Sequence, residues 1–143
     1  MAHLDQTVIR LLAARALEAR AAAYCPYSGY AVGAALLCGG GRVFTGCNME
    51  SAAFSPGICA ERAALAGAVS AGYRQFQAIA VAGGLEGAAP EDRCYPCGVC
   101  RQSLREFCGD DFTVILVKTP DDVQLVTLGE LLPHGFSGGN LKK

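Results

Sequence analysis

An apolar run at residues 77–82, a helix-like stretch at 98–108 and a second apolar run at 113–118 constrain this chain more than any other feature. Two consecutive strands joined through a helix lie parallel in one sheet, because only a crossover of that length returns the chain in the same direction, and such crossovers are right-handed. A purely antiparallel meander is thereby excluded. Upstream, two β-like runs at 31–38 and 42–48 are joined by Gly39, Gly40 and Gly41, which predicts an antiparallel hairpin and makes the sheet mixed. Residues 5–24 contain no Gly or Pro, and Leu4, Val8, Leu11, Leu12 and Ala16 fall at helical intervals, so an opening helix is expected. A second helix is expected over 59–71, after Pro56 and Gly57 and closed by Gly72. The loop 83–96 follows the first apolar run, a last strand is expected at 123–126, and Thr127 with Glu130 forms a capping box that opens a short helix ending near Pro133. The order predicts a three-layer α/β/α fold with a mixed five-stranded sheet. With 52% hydrophobic residues in a chain of 143, a single domain over 1–143 has enough core, and the Gly-rich stretch 136–143 reads as a loose tail.

Twelve Lys and Arg against thirteen Asp and Glu leave a net charge of -1, which provides no cationic field for a nucleic acid polymer or an acidic membrane. No apolar run approaches the roughly 20 residues of a membrane span. Asp5, Arg10, Arg15 and Glu18 interrupt the N-terminal aliphatics, so no signal-peptide core is present and a cytoplasmic protein is expected. In that setting the eight cysteines, at 25, 38, 47, 59, 94, 97, 100 and 108, point to metal binding or catalysis rather than to disulfides.

Two segments carry the chemistry: Cys59-Ala60-Glu61-Arg62 and Pro96-Cys97-Gly98-Val99-Cys100, each at an expected helix start. Free N–H groups and the positive end of a helix dipole favour a thiolate there, and three thiolates would hold zinc tetrahedrally with one position open. Glu61, two residues past Cys59, suits proton transfer beside the metal without ligating it. A Cys, a Glu two residues on and a later P-C-x-x-C is the stated general pattern of the zinc deaminases. Other readings stand beside this one. Cys97 and Cys100 alone could be a redox pair, Cys94 could complete a closed structural zinc site, and Asn48 and Glu50 could be turn residues. Tyr30 and Phe54 could be ordinary core aromatics, and Phe136 a plug for the last helix. His3 and His134 fall in no motif and read as peripheral.

The sequence resembles the cytidine deaminase family, in its small homotetrameric branch with a three-cysteine zinc site. The likeness runs in order through Tyr24-Cys25-Pro26-Tyr27-Ser28, Val32-Gly33-Ala34-Ala35, Gly46-Cys47-Asn48-Met49-Glu50, Cys59-Ala60-Glu61-Arg62, Pro96 to Gln102, and Glu130-Leu131-Leu132-Pro133. The resemblance implies one zinc ion per subunit on Cys59, Cys97 and Cys100, and Glu61 as proton shuttle. It implies that Asn48 and Glu50 bind the ribose, that the Ala60 backbone and Glu61 read the pyrimidine edge, and that Arg62 hydrogen-bonds the thiolates to draw off their charge. Tyr30, Phe54 and Phe136 would wall the base, some of them supplied by neighbouring subunits with shared active sites. The substrate so implied is a free nucleoside, since Glu50 would repel a phosphate. Water activated at zinc adds to C4, Glu61 protonates N3 and relays a second proton to the amino group, and uridine and ammonia result. The family more commonly carries Phe at the position of Tyr30, Tyr at Phe54 and Asn at Ser51, departures that bear on substrate range and admit a modified cytidine or related aminopyrimidine nucleoside.

Overall fold

The computed structural model describes residues 3–141. Helix α1 (Gln6–Ala19) starts where the Asp5 side chain accepts the Thr7 N–H at 2.8 Å, and a 3-10 turn at Arg20–Ala22 ends it. Strands β1 (Tyr30–Cys38) and β2 (Val43–Cys47) form the expected hairpin, whose turn places Gly40 and Gly41 at φ 89° and 95°. Helix α2 (Ala60–Ser70), strand β3 (Phe76–Leu85), helix α3 (Gly98–Arg105) and strand β4 (Thr113–Thr119) follow. Strand β5 (Asp122–Thr127) and helix α4 (Leu128–Leu131) complete the fold, with Thr127 and Glu130 forming the capping box read from the sequence.

The sheet order is β2-β1-β3-β4-β5, and β3 with β4 is its parallel pair. Alternation along the central strands sorts side chains into two cores. Ala35 and Leu37 of β1 and Ile115 and Val117 of β4 bury against Ile9, Leu12, Ala13 and Ala16 of α1. Ala34, Leu36, Val114 and Leu116 face the other way, onto Ala64, Leu65 and Ala68 of α2 and Leu104 of α3. The result is the three-layer mixed five-stranded architecture, with the helices that carry the chemical motifs on one face.

Several boundaries differ from the sequence expectation: the opening helix ends at Ala19 and gives way to the 3-10 turn before residue 24. Strand β3 runs on through Gly83 and Gly84, which pair with Val32 and Ala31 instead of opening a loop. These glycines serve close approach: a Cβ on Gly83 would stand 2.8 Å from the Cys94 Sγ and 2.9 Å from the Tyr30 ring. Helix α3 stops at Arg105, because the last turn tightens through Glu106 N–H to Ser103 O at 3.3 Å and Phe107 N–H to Leu104 O at 3.1 Å. The stretch read as a loose tail contains a 3-10 turn at Gly138–Asn140, held by reciprocal hydrogen bonds between Ser137 and Asn140, while Lys142 and Lys143 lie outside the described residues.

Candidate active site

The two chemical motifs come together because β1 and β2 carry α2 on the same face as α3. Gly46 of β2 makes that approach possible: a Cβ there would stand 2.5 Å from the Ala60 carbonyl oxygen. Cys59 and Cys97 occupy the N-cap positions of α2 and α3, each with extended backbone (φ −80°, ψ 157° and φ −69°, ψ 168°), so Cys59 stands just ahead of the helix it was expected to open, while Cys97 precedes α3 at Gly98 as expected. Cys100 lies on the first turn of α3, buried, and Cys97 is exposed.

The Cys59 and Cys97 sulfurs are 3.7 Å apart, those of Cys97 and Cys100 are 3.5 Å apart, and all three lie within 4.8 Å of one another. Sulfurs bound tetrahedrally to zinc at about 2.3 Å stand about 3.8 Å apart, so the spacing and the soft donors fit zinc and do not fit a hard cation such as magnesium or calcium. Cys94 does not join this cluster among the described residues; its Sγ lies 3.9 Å from the Tyr95 carbonyl oxygen. The closed four-cysteine site therefore lacks its fourth ligand. Burial, which the helix-start reading leaves out, acts on all three thiols. Burial pushes Cys97 up, but the Cys100 N–H and the Cys100 and Cys59 thiols outweigh it and hold Cys97 below the ordinary cysteine value. Burial dominates at Cys59, where Arg62 opposes it, and at Cys100, where the Glu61 charge adds to it, and both thiols are raised.

Glu61 is 3% exposed, and it is the one buried carboxylate among the described residues. Burial pushes its ionisation upward, against its own backbone N–H, the Cys100 thiol and the Arg62 guanidinium. A buried acid raised in this way, beside a set of metal-fit sulfurs, has the properties of a proton shuttle. The Arg62 Nη2 donates to the Cys59 sulfur at 3.9 Å, while Ala60 opens α2 and is buried.

Asn48, Glu50, Ser51 and Phe54 line a pocket of about 610 Å³ together with Cys59 and Arg62. Asn48 is bound into the sheet: its Oδ1 accepts the Val32 N–H at 2.9 Å and its Nδ2 donates to the Tyr30 carbonyl oxygen at 2.8 Å. One amide hydrogen remains free of the sheet. Glu50 is held by three donors, the Tyr27 N–H at 3.0 Å, the Ser28 N–H at 3.1 Å and the Ser28 hydroxyl. Phe54 has a positive φ of 61° and a ring 6.1 Å from that of Tyr27. Two of the expected aromatics stand elsewhere in the single chain. Tyr30 lines a separate pocket of about 190 Å³ with Gly83 and Gly84, and Phe136 lies outside both pockets.

Sequence reasoning missed the residues that hold these groups in place. Ser28 was visible only as part of the Tyr24–Ser28 motif. Arg101 binds the Pro96 and Leu131 carbonyl oxygens, both at 2.7 Å, and Gln102 Nε2 donates to the Phe136 carbonyl oxygen at 2.8 Å, so the residues after Cys100 tie the C-terminal segment to α3. The signal was their place in the Pro96–Gln102 motif.

Residues 6–116 match the family described as "Cytidine and deoxycytidylate deaminase zinc-binding region". The chain is 43% identical to a cytidine deaminase of Sporosarcina psychrophila over 93% of its length and 94% of the relative, and 42% identical to that of Halalkalibacterium halodurans over 92% and 96%. A crystal structure of cytidine deaminase from Burkholderia pseudomallei superposes with a TM-score of 0.80 at 41% identity, covering 95% of this chain and all of that one (100%). With matching motifs, a matching fold and sulfurs set for zinc, the chain belongs to the zinc-binding cytidine and deoxycytidylate deaminase family.

Proposed function

We propose that this protein hydrolytically deaminates cytidine and 2′-deoxycytidine to uridine and 2′-deoxyuridine, releasing ammonia, in pyrimidine salvage. The observation that carries the reading is a buried carboxylate, Glu61, two residues beyond one of three sulfurs spaced for tetrahedral zinc. Cys59, Cys97 and Cys100 hold one zinc ion per subunit, which when bound supplies Lewis-acid activation of water. Glu61 accepts the proton of the attacking water, gives it to N3 of cytosine, and passes the second water proton to the C4 amino group, which departs as ammonia. Its upward-shifted ionisation supports this role, because the carboxyl must hold a proton between transfers. Arg62 draws charge from the thiolates, the sum of which with zinc is a net -1, and so keeps the metal electrophilic.

The Ala60 backbone and Glu61 read the pyrimidine edge, and Asn48 and Glu50 take the ribose hydroxyls. Support for the ribose contact is that both line the same pocket as Cys59. Tyr30, Phe54 and Phe136 enclose the base, some of them reaching it from neighbouring subunits of a homotetramer. Phe54 is 77% exposed and Phe136 56%, and with Tyr24, Tyr27 and Met49 also exposed, the chain carries large apolar side chains that association would cover. A nucleoside as partner, with no nucleic acid polymer, accords with the net charge of -1, and among the described residues no helix is long and apolar enough to cross a membrane. A cytoplasmic location accords with eight free cysteines.

The test is ammonia release from cytidine by the zinc-loaded protein, with uridine formed in equal amount. Zinc-loaded protein that releases none would remove cytidine as the substrate and direct attention to modified cytidines, with Ser51, Tyr30 and Phe54 the positions that depart from the usual family residues.

A further inference from the structure

Glu50 lines the pocket, and the direction of its carboxylate is set by a neighbour with no assigned role. A carboxylate offers about four acceptor sites. On Glu50 the Tyr27 and Ser28 N–H groups take both sites of Oε1, and the Ser28 hydroxyl takes one of Oε2. One site, on Oε2, is left for a ligand. No Lys or Arg pairs with Glu50 among the described residues, so nothing else orients it. Ser28 is itself fixed through the same hydroxyl, whose Oγ accepts the Tyr30 N–H at 3.0 Å, and Tyr30 is the first residue of β1. The sheet therefore holds the serine, and the serine holds the carboxylate.

We propose that Ser28 is a specificity-determining positioning residue, which aims the remaining Oε2 acceptor of Glu50 at a sugar hydroxyl and so makes the enzyme discriminate nucleosides by their ribose. The inference rests on the reading of Glu50 as a ribose contact. A turn-forming serine needs only its backbone and the Tyr30 bond; the hydroxyl donation to Oε2 is additional, and it acts on the ligand-facing oxygen. The Ser28 hydroxyl, with the Ser28 and Tyr27 N–H groups, outweighs the desolvation of Glu50 and lowers its ionisation below the ordinary carboxylate value, so the free acceptor is charged and its bond to a hydroxyl is of the stronger kind.

The experiment compares kcat/KM for cytidine and for 2′,3′-dideoxycytidine in the zinc-loaded wild type, S28A, S28T and E50Q. S28A is expected to lose about tenfold on cytidine, mainly in KM, and less than about twofold on the dideoxynucleoside, because the lost bond serves only a substrate with hydroxyls. S28T restores the hydroxyl and with it the discrimination. If S28A does not fold, S28C, which retains the bulk but donates weakly, makes the same comparison. Equal losses on both substrates would overturn the proposal and leave Ser28 a structural turn residue. E50Q separates the failures: if it leaves the ratio unchanged, the ribose reading of Glu50 is wrong and the inference goes with it. If E50Q collapses the ratio and S28A does not, the inference alone is wrong. A wild type without cytidine turnover would overturn both.

Discussion

Replacing Gly46 with alanine adds one methyl group at the point where β2 meets the start of α2. Its Cβ would lie 2.5 Å from the Ala60 carbonyl oxygen, 2.5 Å from the Ala64 nitrogen and 3.0 Å from the Ala63 Cβ. All but the last are backbone atoms, which cannot rotate away, so α2 must lift by about 1 Å before contacts return to the ordinary 3.4 Å or more. Overpacking of this kind destabilises by about 1–3 kcal/mol. The helix also carries Cys59 at its cap and Glu61 in its first turn, and a displacement of about 1 Å in catalytic groups lowers rates by about 10²-fold. Gly33 provides the comparison. A Cβ there would stand 2.0 Å from the Ala16 carbonyl oxygen of α1, on the opposite face of the sheet, where the displaced helix carries no proposed site residue. Gly33→Ala should therefore lower Tm at least as much as Gly46→Ala, yet retain most of its kcat and bound zinc in the folded fraction. Thermal melts, zinc content and ammonia release measured well below both transitions make the comparison. Wild-type kcat and zinc content in Gly46→Ala, or equal kcat losses in the two variants, would refute the reasoning.

Glu61→Ala should retain fold and zinc while turnover falls by about 10²-fold to 10⁴-fold, the range for loss of a general acid–base; a smaller loss in a zinc-replete variant would remove Glu61 from proton transfer. Glu50 is lowered in the folded chain, chiefly by the Ser28 hydroxyl, so it favours the native state above its unfolded value of about 4.3 and that contribution is lost as pH falls through the lower folded value. The Tm advantage of wild type over Glu50→Gln should accordingly be full near neutral pH and shrink below about pH 4, whereas a pH-independent difference would contradict this. Burial pushes the Cys108 thiol up to about 12, against the opposing charge of Arg105, which leaves about one part in 10⁴ as thiolate at pH 8. Cys108 should resist iodoacetamide in the native protein and react after unfolding in urea; rapid native labelling, read by peptide mass spectrometry, would count against the packing described around it.

Patterns that depend on neighbours in sequence were legible. The β3–α3–β4 crossover followed from period and length, and the Thr127–Glu130 box from a spacing of three. The zinc-fit cysteines were legible because helix starts are local events and both motifs sit on one. What the sequence concealed depends on neighbours in space. Gly83 reads as a breaker, yet it is a strand residue that admits Cys94 and the Tyr30 ring, neither of them near it in the chain. Dipole reasoning about thiolates gives no weight to burial, which spacing does not record and which is the largest effect at Cys59 and Cys100. Motif order likewise gave Tyr30 and Phe136 but not their positions, which in the single chain are away from the pocket that Phe54 lines.

Asn48 and Glu50 are two residues apart and line the same pocket, but they are not equally free to change. The Asn48 amide occupies the place a further strand residue would take, engaging Val32 and Tyr30 as a backbone would and prolonging the ladder of β1 past the end of β2. A library that randomises both positions to alter sugar preference would thus sample two different landscapes. Most replacements at Asn48 unzip the sheet's edge before any ligand is met, whereas those at Glu50 disturb an exposed turn. Directed evolution of this scaffold should hold Asn48 constant, and seek new specificity along the 50–55 loop, where side chains carry no part of the sheet.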